Sequence, residues 1–369
     1  MLILTLSLLT IILVLLPLLG VHLYGLPIAQ FLEFPPKTKY VVHEPFSWPM
    51  FGLIALFILA FILPLIWRLL THKEKNDEIK LVPFPWWGWL GIFGGLFSWT
   101  CAWTRLSWMG TFQPHTFTPL WFSYILVFNG LTLRRSGRCP LSNFTLPYLA
   151  LFPISAMFWW FFEYLNRFVQ TWYYVGAGVL TPTQYIIRAS LAFSTVLPAV
   201  LVTCAWLNTY PTFSSPLRKW VKMDMRYPRL LAAVVLLLAS LGLAFVGVAP
   251  NHLHALLWIS PLLIITSIQA LAGKKTIFSA LVEGNWQRIW TPAIAALICG
   301  FFWEMWNIYS LAKWQYSVPF VHRYLLFEMP ILGYAGYLPF GLECVVVIEL
   351  IFPSLRSSWM AGTKVVYSK

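Results

Sequence analysis

The chain has 369 residues, of which 59% are apolar and 10% charged, and its mean hydropathy is +0.73. A soluble domain runs near about 45–50% apolar and about 25% charged, so these values exclude a soluble globular enzyme, a disordered chain and a disulfide scaffold, and leave a polytopic membrane protein. The net charge of +13 reads as loop marking on a membrane protein rather than as nucleic-acid binding, because Lys and Arg collect in cytoplasmic loops.

Apolar runs fall near residues 2–20, 49–67, 86–104, 116–133, 144–166, 189–208, 230–249, 255–272, 291–307 and 331–352. They predict an all-α polytopic membrane helix bundle of ten spans. The first run lacks a basic flank and a small-residue cleavage site, so it reads as an uncleaved span rather than a signal peptide. Counting Lys and Arg by loop puts 18 of the 25 on the side reached after the even-numbered spans and 7 on the other. That asymmetry places both termini in the cytoplasm of a cell inner membrane. The histidines show the reverse bias, and only His72 falls on the basic side. The five cysteines form no CxxC pair and lie mostly in apolar runs, which reads as buried thiols.

Two segments of the chain repeat each other at an offset between 137 and 142 residues. His115, six before Trp121, matches His252, six before Trp258. Arg134-Arg135 echoes Lys274-Lys275. Glu163-Tyr-Leu-Asn166 echoes Glu304-Met-Trp-Asn307, and Trp172-x-Tyr174 echoes Trp314-x-Tyr316. Leu197-Pro198 and Cys204 match Leu338-Pro339 and Cys344. A membrane sequence produces chance matches of Leu and Trp, but not His, a basic pair, Glu-x-x-Asn and Leu-Pro in one order. The expected organisation is therefore 2 + 4 + 4: two N-terminal helices over 1–80, a four-helix repeat over 81–222, a second over 223–352, and a tail over 353–369. Four is even, so the copies are parallel and related by an axis along the membrane normal.

Glu163 and Asn166 are i, i+3 on one helix face, as are Glu304 and Asn307. With His115 and His252 they are expected at one depth near the outer surface. A carboxylate within a span costs about 2.5–3.5 kcal/mol on insertion scales, so each needs a partner. Arg167, four residues after Glu163, is the expected partner there. Glu304 has Ile308 at that position and no local cation. Arg188 and Glu328, at equivalent places, are expected to pair across the axis. Glu343 lies deeper in the last span.

These residues admit several readings. Glu304 and Glu343 are candidate general acids, with His115 and His252 as candidate bases. Asn166, Asn307, Trp160, Trp303, Glu163 and Arg167 are candidate substrate contacts, because aromatic walls with a few polar groups suit an apolar or polyprenyl-like ligand. The competing reading is that Glu and Asn tie span ends to neighbouring backbone. No HExxH, His-x3-His or Glu-x-x-His is present, so no metal or haem is assigned and the cofactor stays open. The expected partners are the bilayer, a lipid-like ligand and subunits of a membrane complex, not nucleic acid. The alternatives to a lipid-directed enzyme or binder are a proton-coupled transporter and a non-catalytic subunit.

Overall fold

Inside a bilayer no water satisfies the backbone, so an apolar run closes its own hydrogen bonds as a helix. The computed structural model describes residues 2–72, 80–110, 112–175, 180–224 and 226–360. Each apolar run is helical there. The rods are α1 (Leu2–Leu23), α2 (Trp48–Thr71), α3 (Trp86–Trp103), α4 (Phe117–Ser136), α5 (Thr145–Val169), the broken pair α6 (Pro182–Phe193) and α7 (Val196–Leu207), α8 (Pro228–Ala244), α9 (Leu256–Leu271), α10 (Gln287–Asn307) and α11 (Tyr337–Ile351). Among the described residues, five stretches are long and apolar enough to cross a membrane: α2, α5, Pro182–Leu207, α10 and Ile331–Ile351.

Contacts between loops give the rods alternating directions. At one end, Arg105 donates to the Tyr309 carbonyl at 2.8 Å, Ser47 N–H to the Phe320 carbonyl at 2.9 Å, and Arg167 to the Gln30 carbonyl at 2.7 Å. At the other end, Val82 N–H reaches the Arg134 carbonyl at 2.9 Å, and Arg68 reaches the carbonyls of Pro216 (2.9 Å) and Lys219 (2.7 Å). Asn208 also bonds the Trp359 carbonyl there. The basic-rich loops thus share the end at which α1 begins and the described C-terminal segment finishes. The tail beyond Met360 lies outside the described residues.

The centre is α7, whose residues Val196–Ala205 are all buried, together with Phe340–Val346 of α11. α4, α5, α10 and α11 pack around α7, α3 lies against α4, and α8 lies against α9 and α1. α2 is different. Only Leu65 of its 24 residues is buried. It is fixed at its two ends, by Ser47 to the Phe320 carbonyl and by Arg68 to the 216–219 turn.

Among the described residues, the departure from a pure helix bundle is a pair of two-stranded ribbons. β1 (Trp172–Val175) follows α5, and β2 (Lys313–Tyr316) follows α10; β3 (Leu325–Leu326) pairs with β4 (Met329–Pro330). The aromatic-rich runs Trp-Tyr-Tyr-Val and Lys-Trp-Gln-Tyr suit a half-buried strand. They pair antiparallel, with Trp172 opposite Tyr316 and Tyr174 opposite Trp314.

Candidate functional site

The same local geometry forms at the ends of α5 and α10. The Asn166 amide donates to the Trp172 carbonyl at 2.8 Å and its oxygen accepts from Trp172 N–H at 3.4 Å. Asn307 does the same to Trp314, at 2.8 and 2.9 Å. Each Asn clasps the first aromatic of its strand. One helical turn earlier, Glu163 Oε1 accepts from the Tyr174 hydroxyl at 2.6 Å, and Glu304 Oε1 accepts from the Tyr316 hydroxyl at 2.6 Å. Burial pushes both tyrosine hydroxyls well above their usual pKa, so both stay donors. Glu-x-x-Asn followed by Trp-x-Tyr is thus a helix-to-strand fastener.

The two fasteners differ beyond that. Glu163 Oε1 also accepts from the Trp159 and Trp172 indoles, at 3.0 and 3.1 Å. Glu304 Oε1 instead takes the Tyr337 hydroxyl at 2.8 Å, and its Oε2 is buried without a partner. Gly300, one turn before Glu304, lets the Tyr337 ring lie on α10, because a Cβ there would overlap that ring.

Two expected ion pairs form otherwise. Arg167 does not hold Glu163. Its guanidinium bonds Glu33 at 3.2 Å and the Gln30 carbonyl, and Glu163 is already supplied by three aromatic donors. Glu328 does not hold Arg188 but pairs with Lys313, on the ribbon's own half.

Beneath the ribbon lies a cavity of about 1290 Å³, larger than the roughly 300–1,000 Å³ of a small-molecule pocket. Its aromatic wall draws on both halves. Trp159 and Trp172 come from the first, Trp258 and Trp303 from the second, with ring centroids 5.4–6.4 Å apart for the pairs Trp172–Trp258, Trp159–Trp258 and Trp159–Trp303. Ile54, Phe57 and Phe61 of α2 supply the facing wall. His115, Arg188, Asn251, His252 and His254 lie at the ribbon end of the lining, and Met223, Leu281 and Trp286 at the other end.

Of the candidate catalytic and substrate-contact residues drawn from the sequence, the cavity brings together His115, His252 and Trp303. Glu163, Asn166, Glu304 and Asn307 stand behind its wall in the fasteners, and Arg167 is outside it on Glu33 and the Gln30 carbonyl. Trp160 bonds Ser190 at 2.9 Å across α5 and α6. Glu343 is buried in α11, its Oε2 without a partner. The candidate residues drawn from the sequence did not include Tyr337, the α2 wall or His254; Tyr337 precedes Leu338-Pro339 where Val196 precedes Leu197-Pro198. Among the described residues, no cluster of three His, Cys, Asp or Glu could hold a metal ion.

No protein-family model matches the chain, and neither a curated protein nor a solved structure matches it.

Proposed function

We propose that this is an integral membrane protein that binds, and acts on, a lipid-like ligand in the cavity between α2 and the bundle. The observation that carries this reading is the cavity itself. It is walled by aliphatic and aromatic side chains over most of its length, and its polar and titratable groups gather toward the ribbon end. A helix fixed at both ends, with its middle turned to a void, suits an elongated apolar guest better than a compact soluble one. His115 and His252 line the void, and Tyr337, bonded to Glu304, borders it. These groups could exchange protons with a guest's head.

The architecture proposed for it is ten spans arranged 2 + 4 + 4, with basic loops and both termini in the cytoplasm of the cell inner membrane. Support comes from the alternating rods, the duplicated fastener and the swapped pairing of Trp172 with Tyr316 and Tyr174 with Trp314. A transporter reading draws on one observation, that the lining reaches Trp286 at the far end of α10 from the ribbon.

The test is to purify the protein in native-lipid particles and identify the lipid retained after exchange into detergent. Ile54→Trp and Ala189→Trp should fill the cavity and lower lipid retention severalfold at unchanged folded yield. Wild-type retention in both variants would overturn the ligand reading.

A further inference from the structure

The charged groups lining the cavity are all of one sign. Among the described residues, Arg188 and Lys313 face it, and no Asp or Glu does. Lys313 is matched by Glu328. Arg188 has no ion-pair partner among the described residues, and it lies near enough to His115 for its charge to depress that imidazole, second to the effect of desolvation. A guanidinium near a membrane is costly unless something offsets it, about 2.5–3.5 kcal/mol at a helix centre on insertion scales and less toward the interface. Arg suits planar, bidentate recognition of carboxylate and phosphate.

We propose that the ligand is an amphiphile with an anionic head, a carboxylate or a phosphate monoester. Arg188 docks that head beside His115, and the chain runs along the Ile54, Phe57 and Phe61 face of α2. This rests on the cavity being a lipid site, and it adds the charge of the head and the residue that reads it. A neutral head would leave Arg188 unmatched. A free anion would leave the long apolar wall unused.

The experiment measures binding to the full-length delipidated protein in a non-ionic detergent by native mass spectrometry. The probes are palmitate, dodecyl phosphate, hexadecanol and inorganic phosphate, against wild type, Arg188→Gln and Arg188→Lys. Expected are palmitate and dodecyl phosphate bound at least about tenfold more tightly than hexadecanol. Arg188→Gln should weaken the two anions about tenfold, a step of about 1.4 kcal/mol, leave hexadecanol unchanged and be partly rescued by Arg188→Lys. Equal binding of palmitate and hexadecanol, with no effect of Arg188→Gln, overturns the anionic head while the lipid site stands. Binding of inorganic phosphate as tight as that of dodecyl phosphate points to a free anion and overturns the amphiphile. No binding of any chain-bearing probe overturns the lipid site as well. Arg188 is exposed, so its variants should keep the folded yield of wild type.

Discussion

Tyr173 faces Gln315 at the middle of the β1–β2 ribbon, and the other pairs are disposed around that one. Trp172 lies opposite Tyr316 and Tyr174 opposite Trp314. Moving each residue to its counterpart 142 positions along the chain turns the first pair into the second and returns Tyr173–Gln315 to itself. A like exchange of halves, at offsets of 137 and 141 residues, relates two ring contacts. Trp121 packs on Trp303 at 5.0 Å, and Trp258 stacks on Phe162 at 5.1 Å. Antiparallel pairing of these two strands is the arrangement that the proposed duplication requires, with a two-fold axis through the ribbon.

The clasp sets the first prediction. Each Asn makes two hydrogen bonds to the main chain of its Trp, and both side chains are buried. Asn166→Ala and Asn307→Ala should each destabilise the fold by about 1–3 kcal/mol, the cost of leaving buried polar groups unpaired. Asn307→Ala should cost more, because its second bond is 2.9 Å against 3.4 Å for Asn166. Thermal unfolding in detergent measures both. Wild-type melting in either variant would remove the fastener role.

The second prediction separates a fastening role of Glu304 from a proton-transfer role. Glu304→Gln keeps a carbonyl for the Tyr316 and Tyr337 hydroxyls, so its folded yield should match wild type. Glu304→Leu removes the acceptor of two part-buried hydroxyls, of which Tyr316 still accepts from the Trp314 indole at 2.9 Å, and should lose about 1–3 kcal/mol. Gly300→Ala should displace the Tyr337 ring and behave like Tyr337→Phe in function. An activity loss of about 10²–10⁴-fold in Glu304→Gln at full yield would mark Glu304 as a proton-transfer group. Unchanged activity would mark it as a fastener alone.

The third concerns the corrected ion pair. A double-mutant cycle of Arg167→Met with Glu33→Gln should show coupling of about 0.5–1 kcal/mol, modest because the Glu33 carboxylate is 31% exposed. The cycle with Glu163→Gln should show none. Coupling to Glu163 rather than Glu33 would restore the i, i+4 pair.

Hydropathy made the rods legible, because a long apolar run in a bilayer must close its own backbone hydrogen bonds as a helix. The fasteners were half legible. Glu-x-x-Asn and Trp-x-Tyr stood out as repeated pairs, but nothing in a one-dimensional spacing says that Asn166 turns back to the Trp172 main chain six residues on. Arg167 misled for a related reason. An i, i+4 carboxylate is the nearest partner along a helix, and Glu33 is 134 residues away in sequence. The cavity was not legible, because a void comes from how far α2 stands from α9 and α10, and α2 itself carries no distinctive residue.

The last prediction is a pH dependence at the strap that precedes α2. Residues 38–47 cross the ribbon end. Tyr40 and Val41 N–H donate to Gln170 Oε1 at 2.9 Å each, and Asn251 donates to the Val42 carbonyl at 3.1 Å. His43 joins the halves, with Nδ1 2.6 Å from Ser317 Oγ and Nε2 2.8 Å from the Val169 carbonyl. Nε2 must donate to a carbonyl, so neutral His43 carries its proton there and Nδ1 accepts from Ser317. Burial, opposed in part by the Val169 bond, holds this imidazole below its ordinary value of 6.5, and the neighbouring His322 pushes the same way. A folded state that binds its proton less readily than the unfolded chain is most stable above pH 6.5, and it loses stability as pH falls below that value toward the lower folded pKa. Melting temperature should therefore drop between pH 7.5 and pH 5. His254 and His322 are also held low by burial and act in the same direction, so His43→Gln should flatten the drop without abolishing it. Limited proteolysis across residues 38–47 should accelerate at pH 5 in wild type and be faster than wild type at pH 7.5 in the variant. If His43→Gln keeps the full wild-type slope, His43 does not hold the strap.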